Sequence, residues 1–304
     1  MFDIRATTIP LLLVLTAGCS TWFQPISSSD PIVGYVSETH EELIALPPPK
    51  SQVIVAVYKF RDQTGQYKPG TDTTGWSTAV TQGATSMLIK ALEDAGNGAW
   101  FKVLERESLT NLLNERKIIR QTRIQYLNEE QRKKVPPLNP LLYEPIIFEG
   151  GVIAYETNLL TGGAGARYFG LGADTQYRRD TVTIYLRAVS VKSGEVLKSV
   201  VTSKTIFSFE FNVGVFRFLT FKRLLEAEAG FTTNEPPQMA VLQAIEKAVH
   251  AMVHEGALQG LWAFQNDTAG KQSLEKYVAE VPGKKMPDLE ADRLSWAPGV
   301  FVPP

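Results

Sequence analysis

Three glutamates in the second half of the chain stand at spacings that would place them on one wetted, negatively charged wall. Glu210 lies where Thr205, Phe207, Phe209, Phe211, Val213 and Val215 alternate with Ser208, Glu210, Asn212 and Gly214. Glu226 and Glu228 lie in a second stretch, where Leu225, Ala227, Ala229 and Phe231 alternate with Glu226, Glu228 and Gly230. Side chains of a strand project to opposite faces with a period of two, so each stretch has one apolar face and one acidic or small face. A transmembrane barrel strand reads this way, with lipid on one side and water on the other. Half-buried strands of soluble sheets alternate similarly, and the pattern alone leaves both readings open.

Other residues with chemical potential carry less. His250 and His254 are four apart on a helical stretch and could share a metal, but no third ligand or HExxH pattern accompanies them. Gly163-Ala164-Gly165 begins like a dinucleotide fingerprint, yet the third glycine is missing and strand-like residues follow. No candidate nucleophile has an evident base in its motif, and there is no Walker loop. The expectation is therefore neither an enzyme nor an ATP-driven pump. Arg116, Lys117, Arg120 and Arg123, with Arg132 to Lys134 beyond, form a basic stretch that suits a solvated face or a protomer contact. A net charge of -1 with 21% charged residues gives no electrostatic footprint for nucleic acid.

Cys19 is the only cysteine, so no internal disulfide can form. It follows a short apolar run, Leu11 to Leu15, and the small residues Ala17 and Gly18. The run is too short to span a bilayer and suits a signal peptide over residues 1–18. Small residues ahead of a cysteine resemble a bacterial lipobox, which would make Cys19 the acylated first residue of the mature chain. Ser20 is not the aspartate that retains lipoproteins at the inner membrane, which points to the outer membrane. A covalent lipid on Cys19 is the one non-protein group expected, with no metal and no other cofactor.

Residues 19–50 are rich in serine and proline and read as an extended strap from lipid to domain. Gln52 to Tyr58 is a β-rich run followed by a long loop over Phe60 to Gly75. Ser77 or Thr78 can cap a helix carrying Val80, Ala84, Met87, Leu88, Ala91 and Leu92 on one face, which Gly96 and Gly98 end. Trp100 to Leu104 reads as a strand, and Ser108 to Arg120 as a second amphipathic helix with Leu109, Leu112, Leu113 and Arg116 at helical spacing. Ile146 to Tyr155 is another strand, and Thr181 to Val191 pairs with Glu195 to Ser203 through Lys192-Ser193-Gly194. Pro236-Pro237 opens a long helix with Met239, Leu242, Ile245, Val249, Met252, Val253 and Leu261. The tail from Gln265 shows little period and reads as disordered or strapped to a neighbour. This is α/β alternation.

Several of these stretches together resemble the curli secretion channel lipoproteins. They are Thr64-Gly65-Gln66 with Lys68-Pro69, the run Leu112 to Arg120, Gly165 to Gly170 with Gly172 to Tyr177, Gly214 to Phe218, and Thr233 to Pro236. The similarity runs from about Leu46 to Trp262. It implies an α/β periplasmic domain with two inserted β-hairpins that form part of an oligomeric transmembrane β-barrel, a homo-oligomer built as a nonamer. The hairpins would occupy 159–179 and 209–233. The periplasmic domain would comprise 51–158, the strands of 180–208 and a C-terminal helix within 234–264, leaving 265–304 as the tail.

The function the resemblance implies is an outer-membrane diffusion channel that exports unfolded curli subunits, amyloid proteins, from periplasm to cell surface. Periplasmic and surface curli accessory proteins would be partners, with outer-membrane lipid and without nucleic acid. Asp174, Glu210, Glu226 and Glu228 match the family's acidic lumen positions. The loop Tyr67 to Ser77 corresponds to its constriction: Trp76 matches a phenylalanine, Gly75 an asparagine, and Gly70 or Thr71 stands near a tyrosine. The loop is about one residue longer than the family's. Four strands from one chain cannot close in lipid, which tolerates no open edges, so assembly and insertion must be coupled. The alternatives are a monomeric periplasmic lipoprotein regulating a cell-wall synthase and a nucleotide-binding enzyme.

Overall fold

The computed structural model describes residues 37–64, 83–143, 145–162, 175–211, 215–218 and 236–286. All of them belong to one compact unit, Tyr35–Leu219 with Thr233–Pro304. Cys19, Thr71, Gly75, Trp76, Asp174, Glu226 and Glu228 lie outside the described residues.

The unit is built on one seven-stranded sheet. Its strands are β1 (Val53–Val57), β2 (Arg61–Asp62), β3 (Phe101–Glu105), β4 (Ile146–Gly162), β5 (Thr175–Ser190), β6 (Val196–Phe211) and β7 (Val215–Phe218). The order is β3-β1-β4-β5-β6-β7, with β2 pairing β4 outside that path. β1 is parallel to both β3 and β4, while β4 to β7 are successively antiparallel. β1 reads Val-Ile-Val-Ala-Val, an apolar run without alternation, because it lies between two strands and is buried at four of its five positions.

Among the described residues the helices are α1 (Glu38–Ile44), α2 (Ala84–Asp94), α3 (Leu109–Tyr126), α4 (Glu129–Lys134), α5 (Pro236–Leu258) and α6 (Asp267–Glu280). α5 covers one face of the sheet at β5 and β6. α5 is the hub: it contacts β5, β6, α1, α2 and α6, and so its buried residues run nearly round it, from Ala240 and Val241 to Met252 and Val253. α2 ends where Gly96, Asn97 and Gly98 take left-handed φ values of 59°, 55° and 82°. The Gly96 N–H then donates to Leu43 O at 2.9 Å, tying α2 to α1. Trp100 follows, fully buried, with its Nε1 donating to Pro47 O at 2.9 Å and its ring edge-on to Phe264.

Both ends of the described chain depart from the reading of their composition. Residues 37–50 are not wholly an extended strap. Ser37 accepts from the His40 N–H and caps α1, whose Leu43 is buried, and only Pro47 to Lys50 run extended, bonded to Ala263 and Gln265 through the backbone. The tail from Gln265 holds α6, capped by Asn266 and packed through Leu274, Tyr277 and Val278. Its apolar positions are few because it covers α5 with a narrow stripe.

α2 runs from Ala84 after Gly83, and the expected cap at Ser77 or Thr78, with Val80, lies outside the described residues. Two further expectations are corrected. α5 ends at Leu258, and Gly260 at φ 73° turns the chain before Leu261. α3 forms where the helical spacing predicts it and continues to Tyr126, yet none of its residues is buried. Ile124 and Tyr126 are 62% and 72% exposed.

Candidate functional site

The sheet has two chemically distinct faces. On β5, Asp180, Val182, Ile184, Leu186 and Ala188 are buried while the intervening residues are not. On β6, Val200 is buried on the same side, and Thr202 Oγ1 donates to Ala244 O of α5 at 2.8 Å. The opposite face is open and polar. Thr183 and Ser203 hydroxyls meet at 2.7 Å, and Thr181 and Thr205 at 3.1 Å. Further down that face Arg187 donates to Glu149 at 2.9 Å and stacks over Tyr185.

β4, β5 and β6 are far longer than the domain needs. They have 17, 16 and 16 residues against five in β1 and β3. At about 3.3 Å per residue each extends about 55 Å. β4 and β5 stay in register to Gly162↔Thr175, into the span expected for the first hairpin. From Glu156 to Gly162, no strand among the described residues pairs the other edge of β4, and none pairs the outer edge of β7. Among the described residues the extension therefore carries two edges without a partner strand.

The first alternating stretch is not one continuous strand. β6 ends at Phe211, and the chain returns as β7 in antiparallel register, Phe211 opposite Val215 and Ser208 opposite Phe218. Asn212 and Gly214, residue types that favour reversals, were the available signal. Glu210 stands opposite Gln176 on β5 and Phe216 on β7. By the two-residue period, position 210 falls on the strand face that carries Thr202 and Ile206, while positions 207, 209 and 211 fall on the open face. The second alternating stretch, with Glu226 and Glu228, is outside the described residues.

The two histidines form a packing cluster. His254 Nδ1 lies 2.8 Å from His250 O, which can only accept, so Nδ1 carries the proton and Nε2 accepts from Ser273 Oγ at 2.8 Å. Its ring stacks on Tyr277 at 4.7 Å. Both ring nitrogens are thus engaged, Nδ1 within α5 and Nε2 in the bond that ties α6 to α5. His250 is buried with Nδ1 lacking a partner. Burial, followed by the neighbouring His254 and the Lys247 and Lys276 charges, pushes its pKa down to about 3. Among the described residues no group of three His, Cys, Asp or Glu side chains could hold a metal ion.

Two polar clusters had no single motif to reveal them, because their members are far apart in sequence. Glu255 on α5 receives Tyr277 Oη at 2.7 Å, Lys198 Nζ of β6 at 2.6 Å, and Lys284 Nζ. Burial alone would raise its pKa, but the hydrogen bonds from Lys198, Lys284 and Tyr277 outweigh burial and hold it at about 2. Glu246 accepts from Ser37 Oγ at 2.7 Å and Thr39 Oγ1 at 2.5 Å, docking α1 on α5. Both clusters are structural ties.

The basic stretch on α3 is partly spent on the chain itself. Arg116 donates to Asn139 O at 2.6 Å, Arg123 to Pro136 O at 2.8 Å, and Arg132 to Leu127 O at 2.7 Å. The first two bonds hold the returning proline-rich segment against α3, and the third ties α4 to the end of α3.

No helix among the described residues is long and apolar enough to cross a membrane. Residues 36–281 match the family described as curli production assembly/transport component CsgG. The Salmonella typhimurium protein of that name is 45% identical over 263 residues, covering 85% of this chain and 92% of its own. Its Escherichia coli counterpart is 45% identical over 254 residues, covering 84% and 89%. Among solved structures, a neuraminyllactose-binding hemagglutinin homolog from Helicobacter pylori aligns over 82% of this chain and 98% of its own at 11% identity, with a TM-score of 0.31. That likeness is too slight to bear on function.

Proposed function

The chain belongs to the curli production assembly/transport component CsgG family, and on that premise we propose that it is the channel through which unfolded curli subunits leave the cell. The observation that carries the reading is the extension of β4, β5 and β6 beyond the domain as a paired sheet whose edges have no partner strand among the described residues. An unpaired edge in hydrocarbon costs several kcal/mol per unsatisfied group, so such a sheet must be completed by sister copies. A ring of protomers, a nonamer by analogy with the family, meets that requirement.

Within the ring, acidic positions at Asp174, Glu210, Glu226 and Glu228 would repeat around the wall. A wide negative surface stays wetted and discourages an unfolded chain from adhering. Trp76, Gly75 and Thr71 belong to the loop proposed as the constriction, where a ring of indoles would give a passing chain a contact that tolerates any sequence. Transport is diffusive in this scheme. Capture by a periplasmic accessory protein would confine the subunit, lower its entropy and favour escape outward. Acylation at Cys19 and strand insertion together place the protein at the outer membrane, with the α/β domain in the periplasm.

A monomeric regulator of a cell-wall synthase would have no use for strands of this length or for their open edges. Secretion in a bacterium deprived of its own export channel tests the proposal. This chain should restore surface amyloid, and accumulation of the subunit in the periplasm despite normal expression would refute it.

A further inference from the structure

Along the open face of the sheet the chemistry changes in one direction. Thr183 meets Ser203, and one row higher Thr181 meets Thr205, with Glu156 of β4 opposite Thr181. The next row in register is Asn158, Arg179 and Phe207, and the row above is Leu160, Tyr177 and Phe209. Rows on one face are about 7 Å apart. Hydroxyls therefore give way to apolar and aromatic positions across a single row, and Arg179 stands in it. Its Nε is buried without a hydrogen-bond partner, and no ion pair to Arg179 occurs among the described residues.

We propose that the periplasmic surface of the outer membrane crosses the sheet at this row, and that the Arg179 guanidinium binds the phosphate of an inner-leaflet phospholipid. The inference rests on the channel reading, since it needs this face to meet lipid. The face is the right one: it is the side opposite α5, and it continues into the positions of Phe207, Phe209 and Phe211, whereas Glu210 falls on the other side. A guanidinium at an apolar boundary extends its charge to the headgroups while its stem stays in hydrocarbon. Its planar fork matches a phosphate with two parallel hydrogen bonds. Glu156 is set one row back toward water, which keeps its carboxylate away from the phosphate plane. The arginine would fix the depth of the barrel independently of the acyl chains on Cys19.

The test is phosphatidylglycerol binding to the full-length lipidated protein, extracted in detergent and stripped of endogenous phospholipid, with bilayer conductance recorded on the same preparations. Arg179→Leu keeps an apolar residue at the boundary and should weaken binding about fivefold, the worth of one basic residue at an anionic surface. Arg179→Lys should bind within about twofold of wild type, because it keeps the charge. Equal binding by wild type and Arg179→Leu, with both conducting, overturns the phosphate contact and leaves the channel standing. Wild-type protein that binds no phosphatidylglycerol overturns it as well. Wild-type protein that neither inserts nor conducts overturns the channel and this contact together.

Discussion

His250→Leu should make the protein resistant to mild acid. His250 is 9% exposed, its Nδ1 has no partner, and its ring centroid is 4.4 Å from that of His254. A proton placed there would find no acceptor, and burial with the nearby positive groups holds the pKa at about 3 against an ordinary 6.5. Burial also lowers the pKa of His254, despite its bond to His250 O and the carboxylates of Glu280 and Glu255. Between pH 6.5 and 3 the unfolded chain binds a proton at His250 that the folded chain does not, so stability falls as pH falls, by about 1.4 kcal/mol per unit. At pH 5 the loss is about 2 kcal/mol, roughly a thirtyfold change in an opening equilibrium.

That window separates the histidines from the Glu255 cluster. With its pKa held at about 2, Glu255 contributes stability that is fully present above 4.5 and lost only between 4.5 and about 2. Hydrogen exchange of the α6 amides, corrected for intrinsic rates, reads the effect directly, because His254 and Tyr277 join α6 to α5 beside His250. Wild-type α6 should open at least thirtyfold more often at pH 5 than at pH 7.5, and His250→Leu should remove roughly thirtyfold of that difference, leaving the share that belongs to His254. Identical pH dependence in the two proteins would refute the assignment of the acid sensitivity to a neutral buried imidazole.

Three other variants address the rest of the protein. Gly256→Ala would drive a methyl group into the Trp262 indole, whose Nε1 is fixed to Val253 O at 2.7 Å, and should cost about 2 kcal/mol in a thermal or denaturant melt. Trp76→Ala should widen the passage and raise single-channel conductance, and an unchanged current would remove Trp76 from the pore. Lysine at both Glu226 and Glu228 should impair export while leaving oligomers intact in electron micrographs, and normal export would remove the electrostatic role of these residues.

Where local chemistry decides the structure, the sequence was readable. The turn Lys192-Ser193-Gly194 forms as expected, with Gly194 at φ 74°, and Gly96 and Gly98 end α2 through the same left-handed freedom. Val53 to Val57 is a strand because β-branched residues fill a site buried on both faces. Where stability comes from distant partners, reading failed. α6 presents only Leu274, Tyr277 and Val278 as an apolar stripe, and its remaining hold is Ser273 on His254 and Tyr277 on Glu255. α1 depends on Glu246, more than 200 residues away. For α6 the Asn266-Asp267 pair was a usable capping signal, and for α1 Ser37 was another.

The candidate wall shows the same division. Alternation around Phe207 to Glu210 announced a two-faced strand, and the register assigns Phe207 and Glu210 to opposite sides. Alternation does not say where a strand turns, so β6 and β7 were read as one. Periodicity likewise cannot tell a helix face that meets its own core from one that meets none, which is why Leu112 and Leu113 of α3 have the spacing of packing residues and are exposed.

The extended strands are the centre of the functional reading, and current through a planar bilayer tests them most directly. Detergent-extracted protein, added at low concentration, should produce uniform stepwise increments of ohmic conductance, as closed barrels assembled from several chains would. Protein that remains monomeric and leaves the bilayer silent would contradict the barrel and, with it, the export channel.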